Sequence, residues 1–238
     1  MTVKSTSNVF YAVVPAAGVG RRMGTDQPKQ YLPLLDKLVI EHTLSRLLAE
    51  PRLRQIVVAV AAQDTLWPTL EILKHPRISV VVGGAERSDS VLSGLQSLAQ
   101  VCSAQDWVLV HDVARPCLSV TDISRLIDHL SEDPVGGILA VPASDTLKKV
   151  NGQAEVSHTI DRQAIWQAQT PQMFRYQLLL DALVDAVQQG LLITDEASAI
   201  EMAGLSGKVV EALYPNPKIT RPNDLALAEF YLQRGAIV

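Results

Sequence analysis

Short, β-branched apolar runs alternate with segments of helical period from residue 9 to about residue 142, and this alternation narrows the fold more than any other feature. The runs are VFYAVVP (9–15), QIVVAV (55–60), ISVVV (78–82), WVLVH (107–111) and GGILAVP (136–142). They are apolar on both faces, as expected of strands in a parallel sheet covered from both sides. Between them, residues 39–50 put Ile40, Leu44, Leu47 and Leu48 on one helical face. Residues 86–100 do the same with Val91, Leu92, Leu95 and Leu98, and residues 121–131 with Ile123, Leu126, Ile127 and Leu130. Such repetition predicts an α/β fold: a doubly wound, mostly parallel sheet with right-handed crossovers. At 238 residues and 47% hydrophobic, the chain can bury the core of one such domain, and 1–238 is read as a single domain.

After Pro142 the texture changes. Residues 143–165 are polar and β-compatible around Asn151-Gly152, a dipeptide that predicts a type I′ hairpin turn. A lone hairpin is marginal in water, and this one has no sheet of its own to join. It reads either as a solvated excursion or, preferably, as a protruding arm that packs on a second subunit. Helical patterns resume at 175–189, 195–203 and 223–234, with strand-like KVVEAL (208–213) among them completing the same sheet. Pro222 sits where a first-turn proline is tolerated. TDEAS (194–198) reads as a helix start with Asp195 and Glu196 in its first turn.

Net charge is −4, and no lysine- or arginine-rich run exists, which argues against a nucleic-acid surface. Basic residues recur singly inside loops, a pattern suited to a small anion. Cys102 and Cys117 form no CxxC, and the five histidines form no HExxH, so neither a disulfide framework nor a structural zinc site is expected. The polar start MTVKSTSN has no apolar core of a signal peptide, and no run approaches a membrane span, so the expected location is cytoplasmic.

The loop after the first strand, AAGVGRRMGTDQPKQY, carries Arg21, Arg22 and Lys29. A dinucleotide fingerprint fails here. Gly18 and Gly20 fit, but Met23 takes the third glycine position, Thr25 to Pro28 delay the helix, and the second strand ends without an acid. A P-loop fails for want of Gly-Lys-Ser/Thr. What remains is a cradle of small residues (Ala16, Ala17, Gly18, Gly20) with projecting cations, the equipment a triphosphate needs. Gly83-Gly84, Arg87 and Ser90 follow the third strand, and Asp112 and Arg115 the fourth, where open α/β sheets bind ligands. A carboxylate facing a phosphate loop needs an intervening cation, so Asp112 implies Mg²⁺ held partly by phosphate oxygens. His111 reads as a satisfied strand-end histidine, and Trp107 and Trp166 as packing residues.

VPAAGVGRRMGTDQPKQY, GGAERSDSV, VHDVARP, TIDR, TDEAS and KIT occur in an order that resembles the 2-C-methyl-D-erythritol 4-phosphate cytidylyltransferases, from Val9 to about Leu232. The resemblance implies transfer of a cytidylyl group from CTP to a branched polyol phosphate on the non-mevalonate isoprenoid route, with release of pyrophosphate. It implies a homodimer whose β-arm crosses to the neighbour. Arg22, Lys29 and Lys218 would be catalytic, gripping phosphates and stabilising charge at the α-phosphorus. Ala16, Ala17, Gly84, Ala85 and Ser90 would read cytosine and ribose, and Asp112 would hold Mg²⁺. Arg115, Thr170 and Lys218 would receive the polyol phosphate, with Thr146 and Arg162 reaching into the partner's site. Ala85 stands where this family often has an acid, and Val113 is a second small departure.

The implied nucleophile is an anionic phosphate oxygen, which needs no general base, and no histidine–carboxylate pair is evident. The nearest rival is a ribitol 5-phosphate cytidylyltransferase; Thr146, Arg162 and Thr170 lean toward methylerythritol phosphate. A nicotinamide oxidoreductase is disfavoured by the broken fingerprint, and a non-catalytic nucleotide sensor by the joint presence of Arg22, Lys29, Asp112 and Lys218.

Overall fold

The computed structural model describes residues 8–18 and 27–234. Gly20, Arg21 and Arg22 therefore lie outside the described residues. In chain order the elements are β1 (Phe10–Pro15), a small antiparallel pair β2 (Pro33–Leu34) and β3 (Lys37–Leu38), and α1 (Val39–Ala49). Next come β4 (Leu53–Val60), β5 (Ile78–Val82), α2 (Arg87–Ser97), β6 (Trp107–Val110), α3 (Val120–Leu130) and β7 (Gly136–Pro142). The hairpin β8 (Leu147–Val150) and β9 (Val156–Ile160) leads into β10 (Trp166–Arg175). The chain ends with α4 (Tyr176–Gln188), α5 (Glu196–Met202), β11 (Lys208–Glu211) and α6 (Pro222–Gln233).

Seven strands form the main sheet in the order β11-β7-β10-β6-β1-β4-β5. All run parallel except β10, which is antiparallel to both β6 and β7. Side-chain alternation builds a core on each face. Phe10, Ala12 and Val14 of β1 turn toward Ile40, Leu44 and Leu47 of α1 and Ile123, Leu126 and Leu130 of α3. Tyr11 and Val13 turn the other way, into the layer of Val91 and Leu95 of α2, Leu179 and Leu183 of α4 and Ile200 of α5. Trp107 is fully buried in the first layer. Trp166, expected to pack, is instead exposed at the base of the arm.

Three departures from the sequence expectations have local causes. β10 escaped the strand reading because WQAQTPQMFR lacks the β-branched signature, and its Pro171 argues against a central strand. The ladder accommodates it with an irregularity between Ala168 and Gln172, where Pro171 donates no hydrogen bond. The arm is a hairpin as expected, but its connection is not a two-residue type I′ turn. The Asn151 carboxamide oxygen accepts from Gln153 N (3.0 Å) and Glu155 N (3.0 Å), and the left-handed position falls at Ala154 (φ 62°) rather than Gly152. Finally, β5 is an edge strand, half-exposed along its length.

β7 starts at Gly136 with φ +123°, where an added Cβ would lie 2.1 Å from the Met173 carbonyl oxygen of β10. Gly136→Ala is predicted to destabilise the fold by about 2 kcal/mol or more, from combined backbone strain and overlap. Urea unfolding measures it, and an unchanged midpoint would contradict this account.

Candidate functional site

β1 is the strand at which the sheet reverses direction of growth: the chain adds β4 and β5 on one side and then returns to place β6 on the other. The crevice beyond the carboxyl ends of β1 and β6 is thus the topological switch point, where loops diverge and leave room for a ligand. A cleft there is lined by Ala17, Gly18, Lys29, Gly84, Ser90, Asp112 and Lys218, among others. Sequence-predicted residues from four separate segments are brought together.

One wall is the small-residue cradle. Ala16 N extends the ladder by donating to the Ala59 carbonyl (2.7 Å), and buried Gln30 donates from Nε2 to the Ala16 carbonyl (2.8 Å). Lys29, on a short 3-10 turn (Lys29–Tyr31), donates to the Ile219 carbonyl at 3.0 Å and so leans toward the Lys218 segment. Across the cleft, Gly84 N donates to Ser90 Oγ (3.2 Å), which in turn donates to the Glu86 carbonyl (3.2 Å). A Cβ at Gly84 would come within 2.2 Å of Asp89 Cβ, so this turn admits only glycine. Ala85 is exposed and its methyl offers no hydrogen bond, which leaves the main chain as the polar surface here.

Asp112 is the centre of the other wall. It is nearly buried, and three cations surround its carboxylate. Arg87 Nε lies 2.7 Å from Oδ1, Lys218 Nζ 2.7 Å from Oδ2, and Arg115 Nε 3.6 Å from Oδ2. Burial alone would raise its pKa, but Arg87 and Lys218 overcome that and hold it well below the ordinary carboxylate range. Arg87 turns its guanidinium fork away, onto fully buried Glu196, at 2.6 and 3.0 Å. Sequence reasoning gave Glu196 only a place in the first turn of its helix and missed this pair. Burial raises its pKa above the ordinary carboxylate range, and Arg87 opposes that rise without cancelling it. Asp195 behaves as expected, capping α5 by accepting from Ser198 N (3.0 Å).

The acceptor-side residues expected from the resemblance divide into two groups. Arg115, Thr170 and Lys218 gather at Asp112, lining the far end of the cleft with Gln169 and Gln172. The Lys218 segment is fastened there by three bonds. Ile219 N donates to the Ala114 carbonyl (2.8 Å), Arg115 Nη1 to the Asn216 carbonyl (2.7 Å), and Asn216 Nδ2 to the Thr170 carbonyl (2.9 Å). Asn216, flanked by prolines and buried, carried no chemical signal in the sequence. Thr146 and Arg162 stand apart on the exposed arm and line neither end of this cleft. Arg162 Nη1 donates to the Ser144 carbonyl at the arm's root.

His111 is a satisfied histidine, as read from its strand-end position. Its Nε2 is 3.1 Å from the Arg115 carbonyl, which only accepts, so Nε2 carries the hydrogen. Nδ1 then accepts from Thr170 Oγ1 (3.0 Å), and that oxygen accepts from Asp112 N (3.1 Å). The Thr170 hydroxyl is therefore spent on holding the Asp112 turn.

A divalent cation on Asp112 fits these side chains poorly. Both carboxylate oxygens already face cations, and among the described residues no three His, Cys, Asp or Glu side chains are grouped to hold a metal. The expectation that Asp112 is a metal ligand meets an occupied carboxylate. Among the described residues, no helix is long and apolar enough to cross a membrane.

Fold and cleft define an α/β protein with a small-residue cradle and a cationic far end, joined at a topological switch point of the kind where such sheets bind ligands. A family model described as 2-C-methyl-D-erythritol 4-phosphate cytidylyltransferase (IspD) matches residues 10–234, nearly the whole chain. The chain belongs to that family. It is 54% identical over 223 residues to the enzyme so named from Vibrio vulnificus strain YJ016, covering 94% of each chain. It is 50% identical over 233 residues to that of Pseudomonas putida strain GB-1, covering 98% of each. Among solved structures, the Francisella tularensis enzyme superposes with a TM-score of 0.81 at 36% identity, covering 94% of this chain and 100% of its own. The Thermus thermophilus enzyme does so with a TM-score of 0.77 at 30% identity, covering 95% and 99%.

Burial pushes the His111 pKa down to about 4 from an ordinary 6.5. Between those values the unfolded chain binds a proton that the folded chain refuses, so stability is lost as the pH falls through this window. In NMR titrations, His111 ring signals are expected to keep the neutral Nε2–H pattern from about pH 8 to about pH 5; protonation in that range would overturn the tautomer assigned.

Proposed function

We propose that this chain transfers the cytidylyl group of CTP to 2-C-methyl-D-erythritol 4-phosphate, giving 4-diphosphocytidyl-2-C-methyl-D-erythritol and pyrophosphate. The observation that carries this reading is a small-residue cradle continuous with a cation cluster at Asp112, in a chain about half identical to enzymes of that name. The acceptor's phosphate oxygen attacks the α-phosphorus of CTP, and the bond from that phosphorus to the bridging oxygen of the leaving pyrophosphate breaks. The nucleophile arrives as an anion, so no side chain needs to remove a proton. Catalysis reduces to bringing two polyanions together in line and stabilising charge at the transferring phosphorus.

The roles follow from position. The main chain at Ala16, Ala17, Gly84 and Ala85, with Ser90, receives the nucleoside, because small residues let backbone groups approach the base. Lys29 reaches the triphosphate, with Arg22 assigned to it by the family resemblance, while Lys218 stands between the two substrates. Asp112 orients Lys218 and offers an acceptor to a polyol hydroxyl, and Arg115 adds positive charge on the acceptor side. Mg²⁺ is the expected cofactor, travelling on triphosphate oxygens, the ligands a hard cation prefers. The arm at 143–165 is read as crossing to a second copy, because an exposed hairpin with no core of its own gains one only by docking. Thr146 and Arg162 would then meet the acceptor in the partner's cleft. Work in the cytoplasm, on soluble substrates, suits this reading.

The test is pyrophosphate release from CTP with Mg²⁺, comparing methylerythritol 4-phosphate with ribitol 5-phosphate. Turnover of the first is expected; turnover of ribitol phosphate instead would keep the nucleotide wall and overturn the acceptor. Lys29→Ala and Lys218→Ala are each expected to lower kcat by at least ~10²-fold, the scale of losing one transition-state donor. Arg22→Lys should also be damaging, since the planar fork is lost. Mixing inactive Arg162→Ala and Lys218→Ala proteins should restore activity in mixed dimers that assemble one intact site. No recovery after subunit exchange would place Arg162 in its own subunit's chemistry or outside the reaction.

A further inference from the structure

An arginine beside a carboxylate ordinarily closes its two-pronged fork on both oxygens. Arg87 does not do so with Asp112. It presents Nε alone to Oδ1 (2.7 Å), while Nη1 and Nη2 both engage Glu196. Asp112 Oδ2 is thereby left to Lys218 (2.7 Å). Glu196 has nowhere else to go. It is fully buried at the first position of α5, and that helix start is clamped to β10 through Gln172. Gln172 donates from Nε2 to Asp195 (2.8 Å) and accepts from Ala197 N (2.9 Å).

We propose that Glu196 is a positioning residue: by occupying the fork of Arg87 it keeps one oxygen of Asp112 available to hold Lys218 in the cleft. The role is one of competition. Lys218, whose side chain is one-third exposed, presents a single ammonium, whereas an unoccupied guanidinium fork makes two parallel bonds to the same carboxylate. Without the Glu196 charge, the fork closes on Asp112 and Lys218 is displaced toward solvent. Glu196 touches neither proposed substrate. It acts through two intervening side chains, Arg87 and Asp112, and links α5 to the lysine just before α6.

The direct readout is the reactivity of Lys218 toward an amine-modifying reagent, followed by peptide mass spectrometry, with exposed Lys74 as the internal standard. In Glu196→Gln, Lys218 labelling is expected to rise several-fold relative to Lys74. Arg87→Lys has no fork, so adding Glu196→Gln to it should produce little further change in Lys218 labelling, whereas a general loosening of α5 would raise labelling in both backgrounds. Where Glu196→Gln fails to melt cooperatively, Glu196→Asp, which keeps the charge but shortens its reach, should give an intermediate rise. Labelling of Lys218 at the wild-type rate in the folded variant would overturn the proposal, as would full additivity.

The kinetic consequence rests on the function proposed above. In Glu196→Gln kcat should fall in the direction of Lys218→Ala and the KM for the polyol phosphate should rise about tenfold, with the KM for CTP within about twofold. Wild-type protein that turns over neither polyol phosphate would sink the function while leaving the labelling result to judge Glu196.

Discussion

A buried carboxylate is costly unless cations and hydrogen-bond donors meet it, and Asp112 converts that requirement into architecture. Satisfying it draws in Arg87 from the start of α2, Arg115 from its own turn and Lys218 from the segment before α6. Its amide recruits Thr170 from β10, and Thr170 recruits His111. Pieces of chain separated by up to about half its length are tied at one side chain. The two walls of the cleft meet here as well: the turn bearing Gly84 runs directly into Arg87, and Ser90 follows one turn further along α2, so the two walls share a strut.

The electrostatics of this knot match a reaction between anions. Three cations against the carboxylates of Asp112 and Glu196 leave a small positive excess in a partly enclosed cleft, where charge acts more strongly than in bulk water. The carboxylate serves as an anchor that fixes where those cations stand. Ordering them in advance lowers the reorganisation needed when phosphates arrive. The spent hydroxyl of Thr170 and the neutral ring of His111 belong to the same scheme. Neither carries charge, and both stiffen the turn that presents Asp112.

Much of this was legible in the sequence because strong periodicity and special loop composition coincide. The helices α1, α2 and α3 and strands β1, β4, β5, β6 and β7 were readable from apolar spacing alone. The cradle glycines and Asp112 were readable because they follow strand ends, where side chains are free to serve a ligand. β10 was invisible for a physical reason. Its central position demands a ladder, yet Pro171 and three glutamines advertise a loop; tertiary pairing on both sides overrides the local preference. Glu196 stands in the first turn of its helix as read, but its pairing was not legible, because an acid there is favourable facing water and only the position of Arg87, more than one hundred residues earlier, turns it inward. Lys218 and Asn216 carry no local signature at all. Their meaning lies in the three hydrogen bonds that fold their segment over Ala114, Arg115 and Thr170.

The reversed strand also has a consequence for how the molecule assembles. β10 fills an interior place in the sheet, between two strands made earlier, β6 and β7. Until residues 166–175 leave the ribosome, those two strands cannot be bridged, and each presents an open edge of unpaired amides and carbonyls. The hairpin arm is synthesised just before the strand that closes this gap. Sheet closure is therefore a late, long-range event in this chain, of the kind that slows folding and exposes sticky edges along the way. A nascent chain halted within the arm would already carry the cradle and Asp112, yet would have a split sheet and no Thr170 or Lys218 to complete the second wall.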